Sequence, residues 1–360
     1  RFAAAEEKAE MLFALERNPG VRQLAANPLL LTILALMKRQ GVLLPDRRVQ
    51  LYEQYIQTLL RHWNLARGLD KRTARDLDVL ETTRVLAPLA LWMQETSPGA
   101  GLVKRGAVER QLQAIYRERK VADPEQAARQ LLRDVRDHAS LLLERGSGEY
   151  GFIHLTFQEY LAAMAVAQKG QSDLAPVVDL LTALLADPRW HEVLLLTIGY
   201  LGIVQQRDEA AGEVLRRLIE RSPGDPGAAV VLAGEAVLDT WPGGVTQQCR
   251  AAIEAALLVT MHDSERVAPI IRSRAGSLLG ALGDPRDLEE MVFVPEGTFV
   301  MGEGGAQHKV AVAAFRIAKY PVTNQQYATF VAATRHVPPP HWRGKTPQRE
   351  LNNHPVVNVS

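Results

Sequence analysis

A single cysteine, Cys249, among 360 residues excludes any internal disulfide and fits a reducing cytoplasm. Neither sign of charge is in excess: 42 lysines and arginines meet 41 acids, a formal net charge of +1. That balance supplies no field for nucleic acid or an anionic membrane. No apolar run reaches the ~20 residues needed to cross a bilayer. There is no initiator methionine: RFAAAEEKAEMLFAL starts at Arg1, lacks an apolar signal-like core and reads as the middle of a helix. The last residues, PVVNVS, read as part of a strand. Both ends therefore read as cut, and the chain as a fragment of a longer protein.

Complete catalytic motifs are missing too. The nearest approach to a phosphate-cradling loop is Gly344–Lys345–Thr346, but Pro339 stands where the first glycine belongs, five residues earlier. His191–Glu192 opens an HExxH-like string in which Leu195 takes the place of the second histidine, so no zinc site follows. Gly302, Gly304 and Gly305 form no dinucleotide fingerprint, which Gln307 breaks.

What is present is ordinary globular material, 47% apolar and 23% charged, long enough for two or three domains. Pro28 opens a helix over Pro28–Arg39, with Gly41 as its stop. Asp46 caps a second helix whose Tyr52, Tyr55, Ile56, Leu59, Leu60 and Trp63 recur at helical spacing. Helices are expected around Leu77–Met93, bent at Pro88, then Val108–Arg117 and Glu125–Ala139. Leu141–Leu143 and Tyr150–His154 flank the polar tip ERGSGE as a hairpin, and Thr156–Ala167 is helical again. Arg129, Arg133 and Arg136 on the third of these helices alternate with Glu125, Asp134 and Asp137, the pattern of a solvated, ion-paired face rather than a DNA-reading one.

From about Pro188 to Arg286 short amphipathic helices follow one another, divided by SPGDPG, WPGG and HDSE. In RSRAGSLLGALGDPR, Gly283 suits a left-handed helix end, Asp284 a cap and Pro285 the first position of a next turn. At Met291 the pattern changes to strands: MVFVPEGTFVMG alternates around a Pro295–Glu296–Gly297 turn, and Val310–Ile317 is another strand. Thr323 and Gln326 form a capping box that opens a last helix.

The string YGFIHLTFQEYLAA over Tyr150–Ala163 closely resembles the end of the winged-helix domain in NACHT-type ATPases, the group that includes the NLR receptors. NPLLLTILALMKRQGVLLPDRRVQLYEQYIQTLLRHW is similar to the small helical domain that follows their nucleotide-binding core. The first resemblance implies that His154 reaches the β-phosphate of ADP and holds the resting state closed. The second implies that Pro28 packs against adenine. Read without the family, His154 is a histidine satisfied by a nearby backbone group, and Pro28 starts a helix in either case. The GDPR segment resembles a HEAT-type repeat. The stretch from MVFVPEGTFVMG through YPVTNQQYATF looks like the start of a formylglycine-generating enzyme (sulfatase-modifying factor) domain, an α+β fold related to C-type lectins.

The expected fold is thus mainly α followed by a truncated α+β domain. Its parts are a helical domain over 1–70, a winged helix over 71–168, a HEAT-like connector over 169–288 and the start of the formylglycine-generating-enzyme-like domain over 289–360. The resemblances imply a cytoplasmic, nucleotide-gated STAND ATPase of prokaryotic conflict or immune signalling. It would use ADP or ATP with Mg²⁺ in the full-length parent, with no complete cofactor site in this chain. Implied partners are the parent's N-terminal nucleotide-binding core, further copies on activation, and a protein or ligand at the C-terminal domain, but neither nucleic acid nor membrane. The candidate binding residues are His154 and Pro28, with no catalytic and no metal-ligating residue. The alternative is a regulatory region fused to an oxidase acting on sulfatase-type cysteines. In the enzymatic family that chemistry uses a late cysteine pair with copper, and no cysteine follows Cys249. A DNA-binding regulator is the third reading.

Overall fold

The computed structural model describes residues 27–39, 45, 47–66, 78–134, 141–145, 148–222, 227–342, 344–348 and 351–359, together with Leu12 and Ala25. The expected turn and cap at Gly41 and Asp46, the Trp63 side chain, and Arg136 and Asp137 lie outside the described residues.

Helix α1 (Pro28–Arg39) begins at the proline, as its fixed φ favours, and buries Leu30, Ile33, Leu34 and Met37. Helix α2 (Arg48–Ala66) presents Leu51, Tyr52, Tyr55, Ile56 and Leu59 inward at helical spacing. Helix α3 (Val79–Thr96) starts where the Asp78 carboxylate accepts the Glu81 amide, and it runs through Pro88. The short strand β1 (Val103–Lys104) leads into α4 (Arg105–Glu118), and α5 (Pro124–Asp134) follows, capped by Asp123. Strands β2 (Leu142–Arg145) and β3 (Glu149–Phe152) form the expected hairpin, with β1 added on the far side of β3 in the order β1-β3-β2. Three helices, a three-stranded antiparallel sheet and the following helix make a winged helix.

Helix α6 (Leu155–Gln168) has every residue from Phe157 to Ala167 buried, as expected of a helix enclosed on all sides. It packs against α3, α2 and α8 (His191–Gly199). The others of the second half are α7 (Ala175–Leu184), α9 (Asp208–Arg221), α10 (Ala228–Thr240), α11 (Gln247–His262) and α12 (Pro269–Leu282). After α8 the helix widens into a π-turn over Tyr200–Val204. A Cβ placed on Gly202 there would meet the Gly244 carbonyl oxygen at 2.0 Å, so only glycine lets the two backbones touch. One apolar core runs from Leu30 to Leu282, joining the winged helix to the helices that follow.

Two readings of the chain beyond α12 need correction. Asp284 does not cap a further helical turn; it accepts the Arg286 amide at 3.0 Å and pairs with that residue's own guanidinium, and no helix begins there. The single strand at Val310–Ile317 is two strands, β6 (His308–Val312) and β7 (Phe315–Ala318), because Ala313–Ala314 break the ladder. β4 (Met291–Val294) pairs with β7, and β5 (Gly297–Met301) with β6, giving two separate two-stranded sheets. Their larger apolar side chains remain open, Phe293 at 59% and Ile317 at 55% exposure, so these strands enclose no core of their own among the described residues. Helix α13 (Asn324–Thr334) opens on the predicted capping box of Thr323 and Gln326. Buried Asn324 ties its start to the chain end: Nδ2 donates to the carbonyls of Leu351 and His354, and Oδ1 accepts from the Trp342 indole at 2.8 Å.

Candidate functional site

His154 ends the wing. Its backbone is extended, and it stands at the N-cap of α6, where helix-terminal amides lack partners within the helix. The imidazole Nδ1 lies 2.9 Å from the Thr156 hydroxyl and 3.3 Å from the Thr156 amide. The opposite nitrogen, Nε2, lies 2.7 Å from Nδ2 of Asn27, a residue 127 positions away. Asn27 is itself an N-cap: its Oδ1 accepts the Leu30 amide at 3.3 Å at the start of α1. The ring of His154 therefore joins the beginnings of two helices.

Those contacts favour a neutral ring. With the Asn27 oxygen engaged by Leu30, its NH₂ faces Nε2, while the Thr156 amide points at Nδ1; a neutral ring accepts at only one of the two nitrogens and carries its proton on the other. A protonated imidazole would set an N–H against the amide N–H of Asn27. Half-burial lowers the pKa further from the ordinary histidine value, and the nearby Arg145 guanidinium adds to the effect. Arg145 is held in place by donating to the carbonyl oxygen of Ile153 at 2.7 Å. Geometry and burial both favour the neutral ring at His154.

Pro28, the other residue singled out from sequence, follows Asn27 directly and is exposed at the first turn of α1. The two candidates are thus brought to one place, with Asn27 as the link. Its signal in the sequence was only that of an asparagine before a helix-opening proline.

A second polar centre, unmarked in the sequence, lies where α2, α6, α8 and α10 meet. Arg48 at the start of α2 is 9% exposed and grips Asp239 of α10 with two bonds, Nε to Oδ1 at 2.6 Å and Nη2 to Oδ2 at 3.0 Å. Its Nη1 reaches Glu192 of α8 at 3.0 Å. Burial opposes the Arg48 charge, but the two carboxylates outweigh it and its pKa is raised. Buried Glu159 faces the same group; desolvation and repulsion from Glu192 push its carboxyl up to about 7 against the pull of Arg48. Beside it Tyr52 stacks on Tyr160 with centroids 5.8 Å apart, and Tyr160 donates its hydroxyl proton to Glu53.

The lesser motifs have structural partners. His191 pairs with Glu235 at 3.1 Å and Glu192 with Arg48, so the HExxH-like string is spent on packing charges. Gly344, Lys345 and Thr346 lie in a run of bends, with no strand leading in and no helix opening at Thr346 among the described residues. Cys249 is half-buried on α11, and burial raises its thiol pKa, which opposes thiolate formation. An open cleft of about 260 Å³ lies between α12 and Asn353–Pro355, far along the chain from His154; its guanidinium, Arg286, is engaged by Asp284. Among the described residues no group of three or more histidine, cysteine or acidic side chains could hold a metal ion, and no helix is long and apolar enough to cross a membrane.

Residues 48–166 match the family described as a winged helix-turn-helix domain C-terminal to NACHT, and residues 281–360 match the sulfatase-modifying factor enzyme 1-like domain. The chain is a fusion of these two domain types. Neither the curated proteins nor the solved structures contain a significant match. The NACHT-associated match begins at Arg48, the first residue of α2, and ends within α6, so it takes in His154 as well as the tyrosines that seat α6. The sulfatase-modifying-factor-like match takes in all four strands β4–β7 and the Asn324 centre.

Proposed function

We propose that this chain is the lid and connector of a nucleotide-gated STAND signalling ATPase, with the sulfatase-modifying-factor-like domain as its ligand- or partner-binding end. The observation that carries the reading is the 2.7 Å contact of His154 with Asn27, which sets the wing histidine beside Pro28. A phosphate of ADP would meet His154 there, and the exposed ring of Pro28 would cover the adenine. The nucleotide with its Mg²⁺ would be cradled by the NACHT module that the family's description places before such a winged helix. Exchange of ADP for ATP would favour an opened lid through differential contacts with the two states, followed by assembly of several copies. The setting is a cytoplasmic sensor or scaffold, of the prokaryotic conflict or immune kind.

A hydrogen bond from a half-buried imidazole to a phosphate contributes about 1.5–3 kcal/mol, enough to bias a switch but not to lock it. The test is ADP affinity, by calorimetry, of the polypeptide that joins this chain to its NACHT module. His154→Gln is expected to weaken ADP about 10- to 100-fold, the same energy expressed as a binding ratio. Unchanged affinity overturns the role of His154.

A further inference from the structure

We infer that Asn27 is a positioning residue for His154: by donating its carboxamide N–H to Nε2, it keeps the ring proton on Nδ1 and withholds the ring from an anionic ligand. Only the use made of that proton rests on the nucleotide reading above.

The argument starts from bonding capacity. A carboxamide offers donors at Nδ2 and an acceptor at Oδ1, and a neutral imidazole offers one of each. Oδ1 of Asn27 is committed to the Leu30 amide at 3.3 Å, so the donor end is turned to His154 at 2.7 Å. On the other side of the ring, the Thr156 hydroxyl at 2.9 Å takes the Nδ1 proton. The alternative tautomer needs the Asn27 amide turned over, which gives up the Leu30 bond and opens the start of α1. The Thr156 amide, 3.3 Å from Nδ1, would gain an acceptor in exchange. The caps of α1 and α6 therefore compete through one imidazole.

A phosphate oxygen only accepts. While Asn27 donates to Nε2, the ring presents a lone pair at that corner, and an oxyanion is repelled. His154 can serve a phosphate only after Asn27 leaves and the proton passes to Nε2. Asn27 is in this sense a gate on the lid histidine, built from the residue that also starts α1.

The experiment is ¹⁵N NMR of the His154 ring in this chain, assigned by comparison with His154→Gln. The wild type is expected to carry its proton on Nδ1. Asn27→Asp keeps a good helix cap but puts an acceptor opposite Nε2. The proton should move to Nε2, and the His154 titration midpoint should rise by about one unit or more from the adjacent negative charge. Asn27→Ser, also a good cap but too short to reach the ring, should release the proton from Nδ1 without the added charge. A wild-type ring protonated on Nε2, or one whose proton stays on Nδ1 in both variants, overturns the inference. ADP enters nowhere in this readout. Loss of the expected ADP effect would overturn the nucleotide reading and leave the positioning role standing.

Discussion

The guanidinium Nε of Arg48 and the carboxylate Oδ1 of Asp239 lie 2.6 Å apart, joining the first turn of α2 to the last turn of α10 across 191 positions of chain. Arg47, the neighbour of Arg48, donates to the Thr240 carbonyl at 2.9 Å, so two consecutive arginines grip one helix end, where unpaired carbonyls attract cations. The NACHT-associated unit is thereby fastened to the helices beyond it by buried charge as well as by the shared apolar core.

Arg48→Ala should destabilise the chain by about 3–5 kcal/mol, because the Asp239 and Glu159 carboxyls are left with no cation beside them. Glu192, more than a third exposed, adds little to that loss. Arg48→Met combined with Asp239→Leu should cost much less, since the Asp239 carboxylate is then no longer left without its partner. Urea unfolding of the single and double variants checks both expectations.

Glu159 is expected to make stability fall as pH rises. Its folded pKa, about 7, lies above the ordinary glutamate value of 4.5, so between these values the folded state holds a proton that the unfolded state has released. The stabilisation is full below the unfolded pKa and is lost as pH rises through the folded one. Glu159→Gln should remove this slope and be more stable than wild type at pH 8, by about 1–3 kcal/mol. Urea midpoints at pH 5 and pH 8 would show it, and parallel slopes for the two proteins would contradict it.

His154 has the opposite sign. Its folded pKa is lowered, first by burial and then by Arg145, so the folded state resists a proton that the unfolded chain accepts. Stability from the neutral ring is full above the ordinary histidine value and declines as pH falls through the folded pKa. His154→Gln, which can still bridge Asn27 and Thr156 without titrating, should flatten this acid-side decline in melting temperature.

Gly202→Ala should cost at least about 1–3 kcal/mol, the range for an overpacked site. The added methyl would overlap the Gly244 carbonyl, and backbone cannot move aside as a side chain can. Thermal melting checks this, and Gly305→Ala, where a Cβ meets nothing within 4 Å, is the control.

Much of this architecture was legible beforehand because its signals are local. Pro28 starts a helix by its own ring, Thr323 and Gln326 cap α13 over three residues, and Tyr52, Tyr55 and Ile56 share a helix face by periodicity alone. The same local logic failed at Asp284, where a pattern suited to a cap was satisfied by the side chain of Arg286 two residues on. It also failed at Ala313–Ala314, because strand propensity does not report where a ladder changes partner. Strand β1 escaped notice since two residues carry no alternation.

By itself, then, the sequence determined the helices, the wing hairpin, the capping box and the two domain types, all of which rest on contacts a few residues apart or on strings that a family shares. Only the tertiary structure decided that Asn27 meets His154, that Arg48 rather than Arg47 binds Asp239, and that Glu159 is buried beside them. The physical reason is separation along the chain. A side-chain bond across 127 or 191 positions depends on the path of every helix between its ends, and no periodicity in either segment encodes that path.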